Sequence, residues 1–198
     1  MIQLPGVLSA ACEVQRFCQA KDWRFCFIGG VAVQRWGEPR LTQDVDLTLL
    51  TGFGDEEHFV DALLQFLNPR RPDARLFALE NRVLLVRTPS GIDVDVALGG
   101  FPFEERCIQR SSAWSWSEKN ERLITCSAED LLTHKVFAGR DLDWADVERV
   151  LVRQYSKLNL SQVRSELKPL LEMKGELDSL LKFEQKVTTV ERRLKTKS

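Results

Sequence analysis

The chain has 198 residues, 43% of them hydrophobic, with 28 basic against 29 acidic side chains and a formal net charge of -1. That is enough apolar material for one compact domain, or a core with a helical extension, and it lacks the basic excess of a general nucleic-acid binder. Cys12, Cys18, Cys26, Cys107 and Cys126 form no Cys-x-x-Cys pair, and the histidines are His58 and His134, so reduced, buried thiols are expected rather than a disulfide framework or a zinc site.

The first apolar stretch is broken by Pro5, Gly6 and Glu13, so no signal peptide is predicted. No stretch is long and apolar enough to span a membrane, and a cytoplasmic protein is expected. Residues from Leu8 to Gln19 read as an amphipathic helix. Arg24 to Ile28 reads as a buried strand, ended by Gly29-Gly30. Glycine permits a tight turn and lets backbone approach a ligand closely. Val31 to Trp36 follows as a short helix, and the unpaired N–H groups and dipole at its start suit a phosphate. Gly37-Glu38-Pro39 breaks that helix. Arg40, with a fork of donors matched to phosphate, and Thr42 lie just before the next strand.

That strand, Asp44 to Leu50, carries the chemistry. Alternation places Asp44 and Asp46 on one face and Val45, Leu47 and Leu49 on the other. Two carboxylates side by side repel, which makes sense if a cation sits between them, and hard oxygen ligands suit Mg²⁺ or Mn²⁺. Asp55 to Leu67 reads as a helix with Asp55 as its cap. Ala74 to Leu79 and Arg82 to Thr88 read as paired strands around Glu80-Asn81. Gly91 to Leu98 repeats the acidic pattern, with Asp93 and Asp95 on one face and Ile92, Val94 and Val96 on the other. If the two acidic strands are neighbours, a third carboxylate joins the pair, and three carboxylates can hold the two metals of an in-line displacement.

Trp114 and Trp116 lie two apart, as on a strand face, and are read as packing residues rather than base-stacking ones. Arg70-Arg71, Arg106, Arg110, Arg149 and Arg153 are read mostly as solvated surface. Beyond Ser127, an N-cap with Asp130 at the capping-box position, helices are predicted over 128–137, 143–154, 160–171 and 175–194. In the last two, Val163, Leu167, Leu170, Leu177, Leu181, Val187, Val190 and Leu194 follow a three-and-four spacing that suits intramolecular packing. The basic end, Arg192 to Lys197, reads as a solvated helix terminus. A lone Gly-Gly is ordinarily a turn and a lone Asp-x-Asp ordinarily a solvated strand face. The ordered combination of strand, glycine turn, helix, breaker and two Asp-x-Asp strands is what favours a metal–triphosphate site.

Those residues, Ile28-Gly29-Gly30-Val31-Ala32 followed by Gly37-Glu38-Pro39-Arg40-Leu41-Thr42-Gln43-Asp44-Val45-Asp46-Leu47, resemble the signature of the DNA polymerase beta-type nucleotidyltransferase superfamily. Within it the chain resembles the minimal nucleotidyltransferases and the AbiEii-type toxins of abortive-infection and toxin–antitoxin systems. Val94 to Leu98, the segment Ser127 to Leu132, Lys135, Ala138-Gly139-Arg140, Asp143 and Asp146 extend the likeness. It implies a mixed α/β (α+β) fold: a nucleotidyltransferase core with a mixed sheet over residues 1–126, and a helical region over 127–198 packed on it. It implies Asp44, Asp46 and Asp95 as catalytic metal ligands, and Gly29, Gly30, Arg40, Thr42, Lys135 and Asp143 as nucleotide-binding residues. Asp95 is preferred as the third carboxylate because the apolar run and Pro102-Phe103-Glu104 after it fit the family register; Asp93 shares its face and stays as the alternative. Many superfamily members have Ser where this chain has Gly30, so backbone donors carry more of that contact. The implied reaction moves a nucleoside monophosphate from a nucleoside triphosphate to an acceptor hydroxyl, on a transfer RNA end or a protein, and a cognate antitoxin is an expected partner if the chain is a toxin. The alternative is a nucleotide- or partner-binding protein with the same fold and no transfer.

Overall fold

The computed structural model describes residues 4–117 and 121–196, and Lys197 of the basic end lies outside them. In chain order the elements are α1 (Leu4–Ala20), β1 (Phe25–Phe27), α2 (Gly29–Trp36), β2 (Asp44–Leu50), α3 (Glu56–Phe66), β3 (Asn68–Pro69), α4 (Ala74–Asn81), β4 (Val83–Arg87), β5 (Asp93–Gly99), α5 (Pro102–Gln109), β6 (Ser112–Ser115), β7 (Arg122–Thr125), α6 (Ala128–Ala138), α7 (Asp141–Gln154), α8 (Leu160–Lys174) and α9 (Asp178–Lys195). Contacts divide the chain into two units. One runs to Val31 and resumes over Leu41–Cys126; the other holds Ala32–Arg40 and the chain from Ser127 onward. The division falls within α2, whereas the sequence suggests one boundary after residue 126. The reason lies at the end of α2: Gln154 donates to the Trp36 carbonyl at 3.0 Å, Arg153 donates to that of Gly37, and a Cβ on Gly37 would lie 3.3 Å from Val150.

The first unit is built on a mixed sheet in the order β3-β4-β5-β2-β1-β7-β6. The central pair, β2 and β5, is parallel, as is β1 with β7; the other pairings are antiparallel. Alternation along β2 and β5 sends Val45, Leu47, Leu49, Val94, Val96 and Leu98 to one face, where they are buried in a core with Val7 and Val14 of α1 and Val60 and Leu63 of α3. Each such aliphatic side chain contributes about 1.5–3 kcal/mol on burial. The opposite face is covered over its middle by α5, whose Cys107 Sγ lies 3.8 Å from Cys26 Sγ of β1. Cys26 pairs in register with Thr48, so α5 lies over the later half of β2. The acidic first half of β2 and β5 lies on this second face. All five cysteines are free and buried. Trp114 and Trp116 pack, partly buried, against the core.

One predicted strand is a helix. Ala74 and Ala78 are buried while Leu76 between them is exposed, a four-residue spacing that alternation cannot produce. The segment ARLFALEN is rich in strong helix formers, and Arg82 ends it in a left-handed conformation at φ 55°. β4 therefore pairs not with this segment but with β5 and with the two-residue β3. Asp55 stands at the start of α3 without a side-chain capping bond; Glu56 turns back instead and accepts from Gly54 N at 2.8 Å.

In the second unit, Ser127 caps α6 by accepting from Asp130 N at 3.1 Å. The apolar stripe of the last two helices is half as expected. Val163 and Leu167 of α8 and Val187 and Val190 of α9 are buried, but Leu177 and Leu181 are exposed and Phe183 is buried in their place. Gly175 ends α8 with a left-handed cap, and α9 restarts at Asp178 with its inner face on Phe183, Val187 and Val190, an i, i+4, i+7 series. Among the described residues no helix is long and apolar enough to cross a membrane.

Candidate active site: a carboxylate face beside a glycine turn

β2 and β5 run parallel with Asp44 opposite Asp93 and Asp46 opposite Asp95. Since neighbouring strands lie about 4.8 Å apart and register partners share a face, the four aspartates occupy adjacent backbone positions on one face at one end of the central strand pair. The glycine turn closes on it. Gly30 N donates to Asp46 Oδ2 at 3.4 Å, and Thr42 Oγ1 donates to Asp44 Oδ1 at 3.1 Å. The turn is tight enough to demand glycine twice. Gly29 has φ +52°, and a Cβ there would lie 1.9 Å from Asp46 Oδ2; a Cβ on Gly30 would lie 2.1 Å from Thr42 Oγ1. The buried Thr42 hydroxyl thus fills the space in which a side chain at position 30 would stand, which gives a physical reason for glycine there.

Gly29→Ala combines a left-handed backbone with a collision against Asp46, and is expected to cost about 2–4 kcal/mol in urea unfolding. Gly175→Ala, also left-handed at φ +74° but with open space around its Cβ, is expected to cost only about 1 kcal/mol. Equal losses at the two sites would show that the contact with Asp46 carries no weight.

The second pair of carboxylates is already engaged. Arg87 sits opposite Asp93 in register and donates to it at 2.5 Å. Arg70 follows β3; its N–H donates to the Leu85 carbonyl at 3.1 Å, and Leu85 pairs with Asp95. Arg70, just past β3, therefore stands in one row with Leu85, Asp95 and Asp46 of the three strands beside it. The long Arg70 side chain reaches over Leu85 to hydrogen-bond Asp95 through Nη1, with its Nε 3.4 Å from Asp93. Burial holds the Asp95 carboxyl above the usual carboxylate range; Asp44 and Asp93 push the same way, and Arg70 pulls it back. Among the described residues no three Asp, Glu, His or Cys side chains converge as a metal-holding group. Asp44, Asp46 and Asp95 lie on one face as the sequence suggests, and Asp95 Oδ1 is held by Arg70. The donor set itself, carboxylate oxygens throughout, fits a hard divalent cation.

Arg40, Lys135 and Asp143 belong to the second unit, where they meet Asp146. Asp146 is fully buried and accepts from Arg40 Nε and Nη2 at 2.9 and 2.8 Å, and from Arg149 at 3.3 Å. Lys135, 6% exposed, places Nζ 2.8 Å from Asp143 Oδ1 and 3.1 Å from Asp146 Oδ2. Arg140 completes the group with a 2.6 Å bond to Asp143. Burial alone would raise both carboxyls. The hydrogen bonds from Arg140 and Lys135 outweigh it at Asp143, and those from Arg40 and Lys135 with the Lys135 charge outweigh it at Asp146, so both titrate below the usual range.

No family model matches the chain, and no curated protein sequence matches it. Solved structures do. An antigenic nucleotidyltransferase-like protein from Paracoccidioides brasiliensis aligns with a TM-score of 0.51 at 13% identity, over 91% of this chain and 94% of that one. The antibiotic-resistance factor ANT(2'')-Ia aligns with a TM-score of 0.51 at 12% identity, over 87% of this chain and 96% of that one. The chain has the mixed α/β fold of nucleotidyltransferases.

Proposed function

We propose that this protein is a metal-dependent nucleotidyltransferase that moves a nucleoside monophosphate from a nucleoside triphosphate to an acceptor hydroxyl. The observation that supports it most is the register of β2 on β5, which sets Asp46 against Asp95 on the face closed by the Gly29-Gly30 turn. Asp44, Asp46 and Asp95 are the residues that would hold Mg²⁺ or Mn²⁺, which when bound would neutralise triphosphate charge and lower the pKa of a coordinated hydroxyl. Gly29, Gly30 and the start of α2 offer backbone donors to phosphate oxygens. Thr42 fixes the Asp44 carboxylate by its hydroxyl bond. The acceptor hydroxyl gives up its proton to solvent as its oxygen forms a bond to the α-phosphorus, the bond to the oxygen bridging to the β-phosphate breaks, and pyrophosphate leaves. Such chemistry is chiefly positioning and charge neutralisation.

The motif resemblance to AbiEii-type toxins supports an RNA end or a protein hydroxyl as acceptor and a cognate antitoxin as partner. The test is incubation with each α-³²P-labelled triphosphate, Mg²⁺, and transfer RNA or cell-extract protein. Label in a macromolecule, dependent on Mg²⁺ and on one base, is the expected result. The competing reading, a nucleotide-binding protein without transfer, draws on Arg70 occupying Asp95. It expects triphosphate binding with no labelled product under any acceptor.

A further inference from the structure

We infer that Arg70 is a built-in competitor for the divalent cation: it holds Asp95 Oδ1, and a cation that takes that oxygen must displace the guanidinium. The inference rests on the reading of Asp44, Asp46 and Asp95 as ligands. Three observations carry it. Asp95 stands in register with Asp46 but is turned to the Arg70 guanidinium, and no three-carboxylate group is formed among the described residues. Arg70 is placed for this by pairing, since its backbone bond to Leu85 puts it in the same cross-strand row as Asp95 and Asp46. The two arginines are also not equivalent. Asp93 keeps Arg87 if Arg70 leaves, whereas Arg70 is the one cation on Asp95 among the described residues. Loss of Arg70 therefore frees Asp95 and leaves Asp93 occupied. The same asymmetry separates the two candidates for third ligand.

A guanidinium and a divalent cation cannot both take Asp95 Oδ1, the oxygen that Arg70 holds, so metal binding there carries the cost of breaking the Arg70–Asp95 pair. With both side chains about a quarter to a third exposed, that cost is modest. The competition makes Asp95 a conditional ligand, one recruited when the guanidinium has another anion to meet.

The test uses Mn²⁺ alone as the probe, with free Mn²⁺ read by electron paramagnetic resonance during titration of the whole chain. Arg70→Gln is expected to tighten Mn²⁺ binding about fivefold over wild type. Arg87→Gln, which removes the same charge beside Asp93, is expected to change it less than about twofold, since it frees no proposed ligand. In an Asp95→Asn background the effect of Arg70→Gln should fall to that of Arg87→Gln. Arg70→Lys, which keeps the charge but not the fork, guards against a folding failure and should tighten binding in the same direction by less. The inference is overturned if Arg70→Gln leaves Mn²⁺ affinity unchanged or weaker, if Arg87→Gln matches it, or if its effect survives intact without Asp95. Failure of the underlying site has another signature: Asp44→Asn and Asp46→Asn would then bind Mn²⁺ as wild type does.

Discussion

Asp46→Asn is expected to lower nucleotidyl transfer by about 10²–10³-fold or more while the protein stays folded. The substitution keeps the shape of a side chain pressed between the Gly29 turn and the strand, where a Cβ on Gly29 would lie 1.9 Å from Asp46 Oδ2. The amide oxygen of asparagine can still accept from Gly30 N, so the hydrogen bond that ties turn to strand survives. What is lost is one negative charge on a face where carboxylates stand in register on neighbouring strands. Removing like charge from such a face does not destabilise the metal-free protein. It does remove a ligand oxygen that a hard divalent cation requires. The check is the initial rate of label transfer by wild type, Asp44→Asn and Asp46→Asn at matched melting temperature. Wild-type rates for both variants would remove the carboxylate face from the mechanism.

Lys135→Ala is expected to cost about 3–5 kcal/mol of stability, because it leaves Asp143 and Asp146 buried with less compensation. Asp143 and Asp146 are 1% and 0% exposed, and Lys135 is the cation that bridges them, at 2.8 and 3.1 Å. Asp143 suffers more, since its remaining cation among the described residues, Arg140, has a solvent-exposed side chain, while Asp146 keeps Arg40 and Arg149. The measurement is urea unfolding followed by far-ultraviolet circular dichroism. A loss below about 1 kcal/mol with a large fall in transfer would instead place the lysine in the chemistry.

The pH dependence follows from the direction of the two carboxyl shifts. Both are held below the usual carboxylate range in the folded protein, so the stability they contribute is fully present above their unfolded pKa of about 3.9. It is lost as pH falls below that value and through the folded pKa values. Wild-type unfolding midpoints should therefore drop steeply below about pH 4, and those of Lys135→Ala less steeply, since the Lys135 share of the compensation is already gone.

Several parts of this molecule are legible in local pattern. Period-two alternation alone places Asp44 with Asp46 and buries Val45, Leu47 and Leu49, and the strand spans Asp44–Leu50 as read. The Ser127 cap, the helices after it and the buried thiols follow from equally local signals. Local pattern is weak where a segment is short: periodicity in ARLFALEN admits a strand, its helix-forming composition favours a helix, and burial of Ala74 and Ala78 against the core decides for helix. It fails for Leu177 and Leu181, where a cap at Gly175 resets the helical frame and exposes residues that continue the upstream stripe.

What only the tertiary structure decides is partnership. Nothing in Asp93-Val94-Asp95 says that its strand lies parallel to β2, or that Asp95 rather than Asp93 stands opposite Asp46. Arg70 is 25 positions from Asp95 and reads as surface; a two-residue edge strand puts it in the row that ends on the carboxylates. Lys135 on a helix can snorkel or be buried, and it is the arrival of Asp143 and Asp146 from α7 that makes burial tolerable. Alternation and capping are properties of neighbours along the chain, so sequence alone carries them. Strand order and ion pairing depend on which distant segments share a core, and a carboxylate on a known face acquires its chemistry from whichever cation that packing delivers.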